Sequence, residues 1–180
     1  MTRVIAGAWR GRRLTVPAGR DVRPTSDRVR EALFSILGPI DGAVVLDLFA
    51  GSGALALEAL SRGAARATLV ERAPGALRAI AANVAALDAG EVADVRARDV
   101  RAFVREDASQ AGGPYDLVFL DPPYRDAAGL GPQLDLTPLL AAGARVVSES
   151  DRREPLALTG LEVVDERRYG DTLIRIHRIS

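Results

Sequence analysis

The feature that most constrains the fold is an alternation, from residue 43 onward, between short apolar runs and longer amphipathic stretches. Short apolar runs bounded by turn residues are typical of buried strands, and apolar residues that recur every three or four positions are typical of helices. The pattern predicts strands at 44–48, 67–70, 92–97, 116–120 and 145–150, and helices at 54–62, 74–87, 100–106 and 134–142. Strands and helices in this order form a parallel sheet with helices on both faces.

The two ends of the chain add smaller elements. Runs at 161–167 and 172–178 flank the turn Tyr169-Gly170-Asp171 and predict an antiparallel hairpin at one edge of the sheet. Residues 3–16 predict another short hairpin, and residues 26–37 predict a helix that Ser26 or Thr25 can cap. We therefore expect a Rossmann-like α/β fold with a mostly parallel seven-stranded sheet. An N-terminal hairpin and helix extension would occupy residues 1–40, and the main domain residues 41–180.

A glycine turn follows the first strand of the series, with Gly51 and Gly53 placed after Asp47. In open α/β sheets, ligands bind beyond the carboxyl ends of the strands, and glycine lets the backbone turn sharply and approach a ligand. Glu71 ends the second strand, where a carboxylate can accept both ribose hydroxyl protons of a nucleotide-like ligand. Asp47 would repel a pyrophosphate but suits an ammonium and a sulfonium. The turn therefore favours S-adenosylmethionine over a dinucleotide.

A third carboxylate, Asp99, follows the third strand. It can accept a hydrogen bond from the amino group of adenine, with the Val100 amide near the edge of the ring. Asp99 can also cap the helix predicted at 100–106, and the two roles are compatible.

The tetrapeptide Asp121-Pro122-Pro123-Tyr124 follows the fourth strand, 70 residues after Gly51. An exocyclic amino nitrogen on guanine, adenine or cytosine is a poor nucleophile because its lone pair is delocalised into the ring. The Asp121 carboxylate and the Pro122 carbonyl can each accept one N–H hydrogen bond from it. Pro123 stiffens the loop, and Tyr124 offers a face on which an unstacked base can lie. Together with the glycine turn, this loop predicts methyl transfer to a base nitrogen.

The composition excludes several other chemistries. The chain has no cysteine, which rules out disulfides, thiolate metal sites and cysteine nucleophiles, including the one that pyrimidine C5 methylation generally needs. Its single histidine, His177, cannot form a zinc cluster, so we expect no metal and interpret His177 as a strand residue with a satisfied ring. No apolar run approaches the ~20 residues that span a bilayer, and the first residues lack a signal-peptide core. We expect a cytoplasmic protein.

Charge is unevenly distributed, although the chain as a whole is neutral. Residues 1–30 hold eight arginines against two aspartates, a net charge of +6, so the remaining residues carry −6. A basic leading segment on an acidic body predicts that this segment binds a polyanion.

The chain resembles class I S-adenosylmethionine-dependent methyltransferases that methylate amino groups. More narrowly, it resembles the bacterial 16S rRNA guanine-N2 methyltransferase family (RsmD type), nearly end to end. The residues that carry the resemblance are 3–14, 23–34, 47–53 and 121–124. The family often has phenylalanine where this chain has Tyr124, and either ring can stack.

The resemblance implies methylation of one guanine N2 in 16S rRNA, within a small ribosomal subunit or an assembly intermediate whose ribosomal proteins contribute to recognition. It implies a catalytic loop at Asp121, Pro122, Pro123 and Tyr124. It implies that S-adenosylmethionine binds at Asp47, Phe49, Ala50, Gly51, Gly53, Glu71, Arg72, Asp99 and Val100. It gives the basic segment a role in RNA binding through Arg3, Trp9, Arg10, Arg12, Arg13, Arg23 and Arg28. Trp9 could stack on an exposed base or anchor the hairpin, and nothing demands more than a monomer.

Other functions stay open on the residues alone. A methyltransferase acting on adenine N6 or cytosine N4 of DNA or RNA would use the same loop, although the chain lacks a separate target-recognition domain for DNA. A non-catalytic ribosome assembly factor could retain the fold, and an oxidoreductase with a dinucleotide is a more distant alternative.

Overall fold

The computed structural model describes residues 2–17, 26–107, 114–123, 127 and 129–179. A small two-stranded sheet pairs β1 (Thr2–Arg3) with β2 (Arg13–Leu14) in antiparallel fashion. The helices are α1 (Asp27–Leu37), α2 (Ala54–Ser61), α3 (Pro74–Leu87) and α4 (Val100–Asp107). The main strands are β3 (Val44–Leu48), β4 (Arg66–Glu71), β5 (Ala93–Ala97), β6 (Tyr115–Leu120), β7 (Leu140–Asp151), β8 (Leu161–Tyr169) and β9 (Thr172–Ile179).

The main sheet has seven strands in the order β5-β4-β3-β6-β7-β9-β8. The strands from β5 to β7 run parallel, and β9 is antiparallel to both of its neighbours. This confirms the predicted Rossmann-like sheet with a hairpin at one edge. The chain moves outward from β3 to β5 and then returns to β6, so the strand order reverses between β3 and β6. Ligands bind at such a reversal in open α/β sheets.

Two apolar clusters, one on each face of the sheet, form the core. Successive residues of a strand point to opposite faces, so Val45 packs with α1, α2 and α3 whereas Leu46 packs with α4. The ring of Phe34 on α1 lies 5.8 Å, centroid to centroid, from that of Phe119 on β6. In the part of the chain described, no helix is both long enough and apolar enough to cross a membrane.

The helix predicted at 134–142 is wrong. The segment instead contains a short 3₁₀ turn, Thr137–Leu139, after which β7 begins at Leu140. Pro138 lies in the middle of the predicted helix, where it lacks an N–H and would clash with the carbonyl four residues earlier. The leucines that suggested a helix do reach the core, because Leu134, Leu136 and Leu139 are buried beneath the sheet.

Residues 2–17, which we call the arm, dock on α2. Glu58 is 1% exposed and accepts hydrogen bonds from the backbone N–H groups of Ile5 and Ala6, at 2.7 and 3.0 Å. Ser61 accepts one from Trp9 N–H at 2.9 Å and donates one to the carbonyl of Ala6 at 2.6 Å. The arm thus belongs to the folded body as well as to the basic segment, and a domain boundary near residue 40 stays a prediction.

Candidate active site at the carboxyl edge of the sheet

The strand register brings the predicted site residues to one edge. Leu48 of β3 is paired with Val70 of β4 on one side and with Leu120 of β6 on the other. The residues that follow these three strand positions therefore lie side by side, at the reversal in strand order. They are the start of the glycine turn, Glu71 and Asp121.

The glycine turn depends on backbone conformations that favour glycine. Phe49, Gly51 and Gly53 have φ angles of 64°, 59° and 76°, all in the left-handed region. A Cβ on Gly53 would lie 2.9 Å from a methyl group of Leu69, so a side chain at that position would have to displace Leu69. A Cβ on Gly51 would meet nothing closer than 3.9 Å, which leaves open space beside the turn.

Glu71 holds the turn against the end of β4. One carboxylate oxygen accepts a hydrogen bond from Gly51 N–H at 3.0 Å. The other accepts from the backbone N–H groups of Arg72 and Ala73 at 2.7 and 2.8 Å. Ala50 N–H also donates to the carbonyl of Val70 at 3.1 Å. The Glu71 side chain is therefore fixed in position at the edge where a ribose was predicted.

Asp47 is 2% exposed and lies beneath the turn. Its carboxyl group accepts a hydrogen bond from the N–H of Ala56, in the first turn of α2, at 3.1 Å. Burial, followed by the nearby negative charge of Glu71, raises the pKa of Asp47 to about 7, and the Ala56 hydrogen bond opposes that rise. Asp47 is therefore a buried acid whose pKa lies near neutral pH, and a cationic group placed beside it would favour its ionised form.

Asp99 caps α4, as one of its two predicted roles required. One oxygen accepts from the N–H groups of Arg101 and Ala102 at 3.0 and 3.3 Å. The other forms an ion pair with Arg72 at 3.0 Å. This pair bridges the ends of β4 and β5, so Arg72, Asp99 and the adjoining Val100 come together beside Glu71.

The catalytic loop predicted from sequence begins directly after β6. Asp121 is half-buried, Pro122 is buried, and Pro123 is exposed with its carbonyl accepting from Ala127 N–H at 3.1 Å. Tyr124 lies outside the described residues, and so does Arg23 of the predicted RNA-binding set.

The arginines of the predicted RNA-binding set differ in what they contact. Arg3 forms an ion pair with Asp27 at 3.3 Å, and Arg12 donates to the carbonyl of Ala86 at the end of α3. Among the described residues, Arg10, Arg13 and Arg28 form no ion pair, and all three are exposed.

Trp9 packs against the hydrophobic core and is partly buried. Its backbone N–H is held by Ser61. Of the two roles that the sequence left open for Trp9, this packing favours an anchor for the hairpin.

The sequence did not predict the buried polar residues that hold the arm, among them Glu58 and Asn83. Glu58 is the one charged residue in helix α2, and Asn83 stands in the apolar stripe of α3 between Ile80 and Leu87. Both are 1% exposed. A polar residue at a core position of an amphipathic helix was the available signal, because such a group must find partners inside the protein.

Comparisons with known proteins agree with this geometry. A family described as Conserved hypothetical protein 95 matches residues 2–178. Ribosomal RNA small subunit methyltransferase D of Escherichia coli K12 is 50% identical over 124 residues, which cover 68% of this chain and 60% of that protein. Putative rRNA methyltransferase YlbH of Bacillus subtilis is 36% identical, with 98% of each chain covered. The solved structure of putative methyltransferase yhhF from Escherichia coli superposes with a TM-score of 0.82 at 40% identity, covering 99% of this chain and 98% of that one.

Proposed function

The chain belongs to the family described as Conserved hypothetical protein 95, and on that premise we propose that it methylates the exocyclic N2 of a guanine in 16S rRNA, with S-adenosylmethionine as the methyl donor. The observation that carries the proposal is the meeting of two motifs at one point of the sheet. The glycine turn after β3 and the Asp121-Pro122-Pro123 segment after β6 leave adjacent strands at paired positions, Leu48 and Leu120. A donor bound at the first would stand next to a base held at the second.

The residues at the edge fit S-adenosylmethionine. Asp47 is a buried acid suited to a cationic amino acid portion, Glu71 is a carboxylate held at the predicted ribose position, and Asp99 stands beyond it. The open space beside Gly51 leaves room for a ligand next to the backbone. When bound, S-adenosylmethionine supplies an electrophilic methyl group on a sulfonium.

The protein's own contribution is to present the amino nitrogen. We propose that the Asp121 carboxylate and the Pro122 carbonyl accept the two N–H hydrogen bonds of the guanine amino group, which directs the nitrogen lone pair toward the methyl. As the N–CH₃ bond forms, the methyl–sulfur bond would break with its electron pair left on sulfur, and the nitrogen would shed one proton, for which Asp121 is the acceptor that this loop provides. Alignment and fixed hydrogen-bond acceptors then supply most of the rate enhancement.

The choice of rRNA over other nucleic acids is supported by the relatives and by the arm. Both curated relatives are named as rRNA methyltransferases, and one of those names specifies the small subunit. The arm offers two exposed guanidinium groups, Arg10 and Arg13, that form no ion pair within the described residues. Such groups bind phosphates without reading sequence.

The test incubates the purified protein and labelled S-adenosylmethionine with small ribosomal subunits that lack native guanine-N2 methylation, followed by nucleoside digestion and mass spectrometry. We expect N2-methylguanosine. Methyladenosine or methylcytidine would overturn the choice of base, and label in DNA in a parallel reaction, with none in the subunits, would overturn the choice of substrate.

The Asp121→Ala variant tests the loop itself. We expect methyl transfer to fall by about 10²–10³-fold, since a fixed acceptor is lost, while cofactor affinity changes by no more than a few-fold. Asp151→Ala is the matched control, because Asp151 also ends a parallel strand but lies one strand further from the turn. Full activity in Asp121→Ala would disprove the proposed role of the loop.

A further inference from the structure

A single buried side chain joins the arm to the glycine turn. Asn83, in the middle of α3, donates one amide hydrogen to the carbonyl of Thr15 and one to the carbonyl of Ser52, each at 2.9 Å. Its own carbonyl oxygen accepts from Thr15 N–H at 2.7 Å. Thr15 follows β2 in the arm, and Ser52 lies between Gly51 and Gly53. Every amide hydrogen of this side chain therefore has a partner, and the partners belong to two different functional segments.

The positions of the arm and of the glycine turn are linked through the planar amide group of Asn83. A side-chain amide is rigid, so a hydrogen bond that fixes its nitrogen toward Ser52 also fixes its oxygen and second hydrogen toward Thr15. The bond from Asn83 to Ser52 is buried, so water does not replace the Ser52 carbonyl if it moves, whereas the bonds to Thr15 are only partly buried because Thr15 is exposed. A displacement of the Ser52 carbonyl therefore shifts the Asn83 amide plane and with it the two hydrogen bonds to Thr15.

We infer that Asn83 is a positioning residue that couples occupancy of the cofactor turn to the order of the arm, so that cofactor binding and RNA binding strengthen each other. This inference rests on the proposed function of the turn and the arm. The turn contains three residues with left-handed backbone, Phe49, Gly51 and Gly53, and a bound ligand reduces the conformations available to it. Once Ser52 is held, Asn83 holds Thr15, and the arm presents Arg13 in a fixed place. By linkage, RNA that orders the arm raises cofactor affinity by the same factor.

A separate set of contacts holds the other half of the arm and does not pass through Asn83. Ser61, at the far end of α2 from the turn, binds Trp9 N–H and the carbonyl of Ala6. Ser61→Ala therefore removes one buried hydrogen-bonding side chain from the arm without touching the glycine turn. It is the matched control for a change at Asn83.

The experiment is hydrogen exchange of the Thr15 amide in the full chain, with and without saturating S-adenosylhomocysteine, with saturation checked by calorimetry. In the native protein we expect the ligand to slow exchange by about fivefold or more, the lower end of typical coupling between sites. In Asn83→Asp, the new carboxylate can still accept from the Thr15 N–H but repels the carbonyls of both Ser52 and Thr15, so the link between them is lost and we expect the ratio of the two rates to approach one. In Ser61→Ala the ratio should remain that of the native protein.

The readout separates coupling from mere stability. A purely structural Asn83 would speed exchange equally in both states and leave the ratio unchanged, and that result in Asn83→Asp overturns the inference. If the variant does not fold, the native protein decides alone, because unchanged Thr15 exchange with ligand bound also overturns the inference. An absence of calorimetric binding in the native protein would overturn the proposed function together with the coupling, whereas binding without a change at Thr15 would overturn the coupling alone.

Discussion

At the scale of single residues, the buried Asp47 shows how one group can be unfavourable for the free protein and useful for the ligand-bound one. Its folded pKa, about 7, lies above its ordinary value of 3.8. Between these two values the folded state binds more protons than the unfolded state, so stability falls as pH rises through that window. Above pH 7 the free protein holds a desolvated carboxylate, which a cationic ligand would neutralise.

Asp47→Asn should therefore change stability and binding in opposite directions. We expect it to raise the melting temperature of the free protein at pH 8 by several degrees, because the amide can still accept from Ala56 and carries no charge. We expect S-adenosylmethionine to bind about tenfold more weakly, because a charged hydrogen-bond partner is lost. Thermal unfolding and titration calorimetry at pH 6 and pH 8 measure both effects. An unchanged dissociation constant at pH 8 would remove Asp47 from the cofactor site.

The residues of the site divide into those that sequence could predict and those that it could not. Asp47, Gly51, Glu71, Asp99 and Asp121 were all predictable as residues at strand ends, because parallel strands bring their carboxyl ends to a common edge. Asn83 and Glu58 act across tens of residues, on backbone groups of the arm. Nothing local in a helix states which distant segment will supply a partner for a buried polar side chain.

At the scale of elements, the docking of the arm depends on a glycine that no other residue can replace. Gly7 has φ +81°, and a Cβ there would lie 1.7 Å from the carbonyl oxygen of Ser61. Gly11 has nearly the same φ, +82°, yet a Cβ there would meet nothing within 4 Å. A side chain at Gly11 would meet backbone strain alone, whereas one at Gly7 would meet the same strain and a collision, so comparing the two positions distinguishes these effects.

Gly7→Ala should destabilise the protein far more than Gly11→Ala. We expect about 1–2 kcal/mol for Gly11→Ala, from the left-handed backbone alone, and about 3 kcal/mol or more for Gly7→Ala, where a collision is added. Urea unfolding measures the difference. Trp9 is the only tryptophan, so a red shift of its emission in folded Gly7→Ala would report that the arm has left α2. Equal losses in the two variants would refute close packing at Gly7.

The elements themselves were largely predictable, and the one error has a physical cause. The strand at 44–48 and the helix at 74–87 were predicted with the bounds that the structure has. Their period is clear and their ends carry strong signals, such as Pro74 in the first turn of α3. The prediction of a helix at 134–142 was wrong because leucines can be buried from an irregular backbone path as well as from a helix. Pro138 disfavours the helix and leaves the irregular path.

At the scale of the whole molecule, the antiparallel edge carries a buried histidine that links stability to pH. His177 lies in β9, as expected for a strand residue, and its Nε2 lies 2.9 Å from Ser148 Oγ. Within the described residues Nδ1 has no hydrogen-bond partner, so the prediction of a satisfied ring was only half right. Burial, and to a smaller extent the charge of Arg175, lowers the pKa of His177 to about 4.

Because the folded pKa of His177 is below its ordinary value of 6.5, the unfolded state binds the proton more readily. Its contribution to stability is present above pH 6.5 and is lost as pH falls toward 4. We expect His177→Gln, which can still bond to Ser148, to flatten the dependence of the unfolding free energy on pH between 7 and 5 by about 1–2 kcal/mol. Urea unfolding of both proteins at pH 7, 6 and 5 tests this, and parallel curves would contradict it.

The docking of the arm also constrains how such a protein can change over evolutionary time. If residues 2–17 were exchanged for a segment whose backbone follows a different path, the backbone partners that the arm gives to Glu58 and Asn83 would be lost, and two polar groups now 1% exposed would have to be accommodated. The arm therefore cannot be exchanged as an independent unit without accompanying changes in α2 and α3. New preferences for a partner must arise through substitutions at its exposed positions, such as Arg10 and Arg13, while the residues that face α2 and α3 change together with those helices.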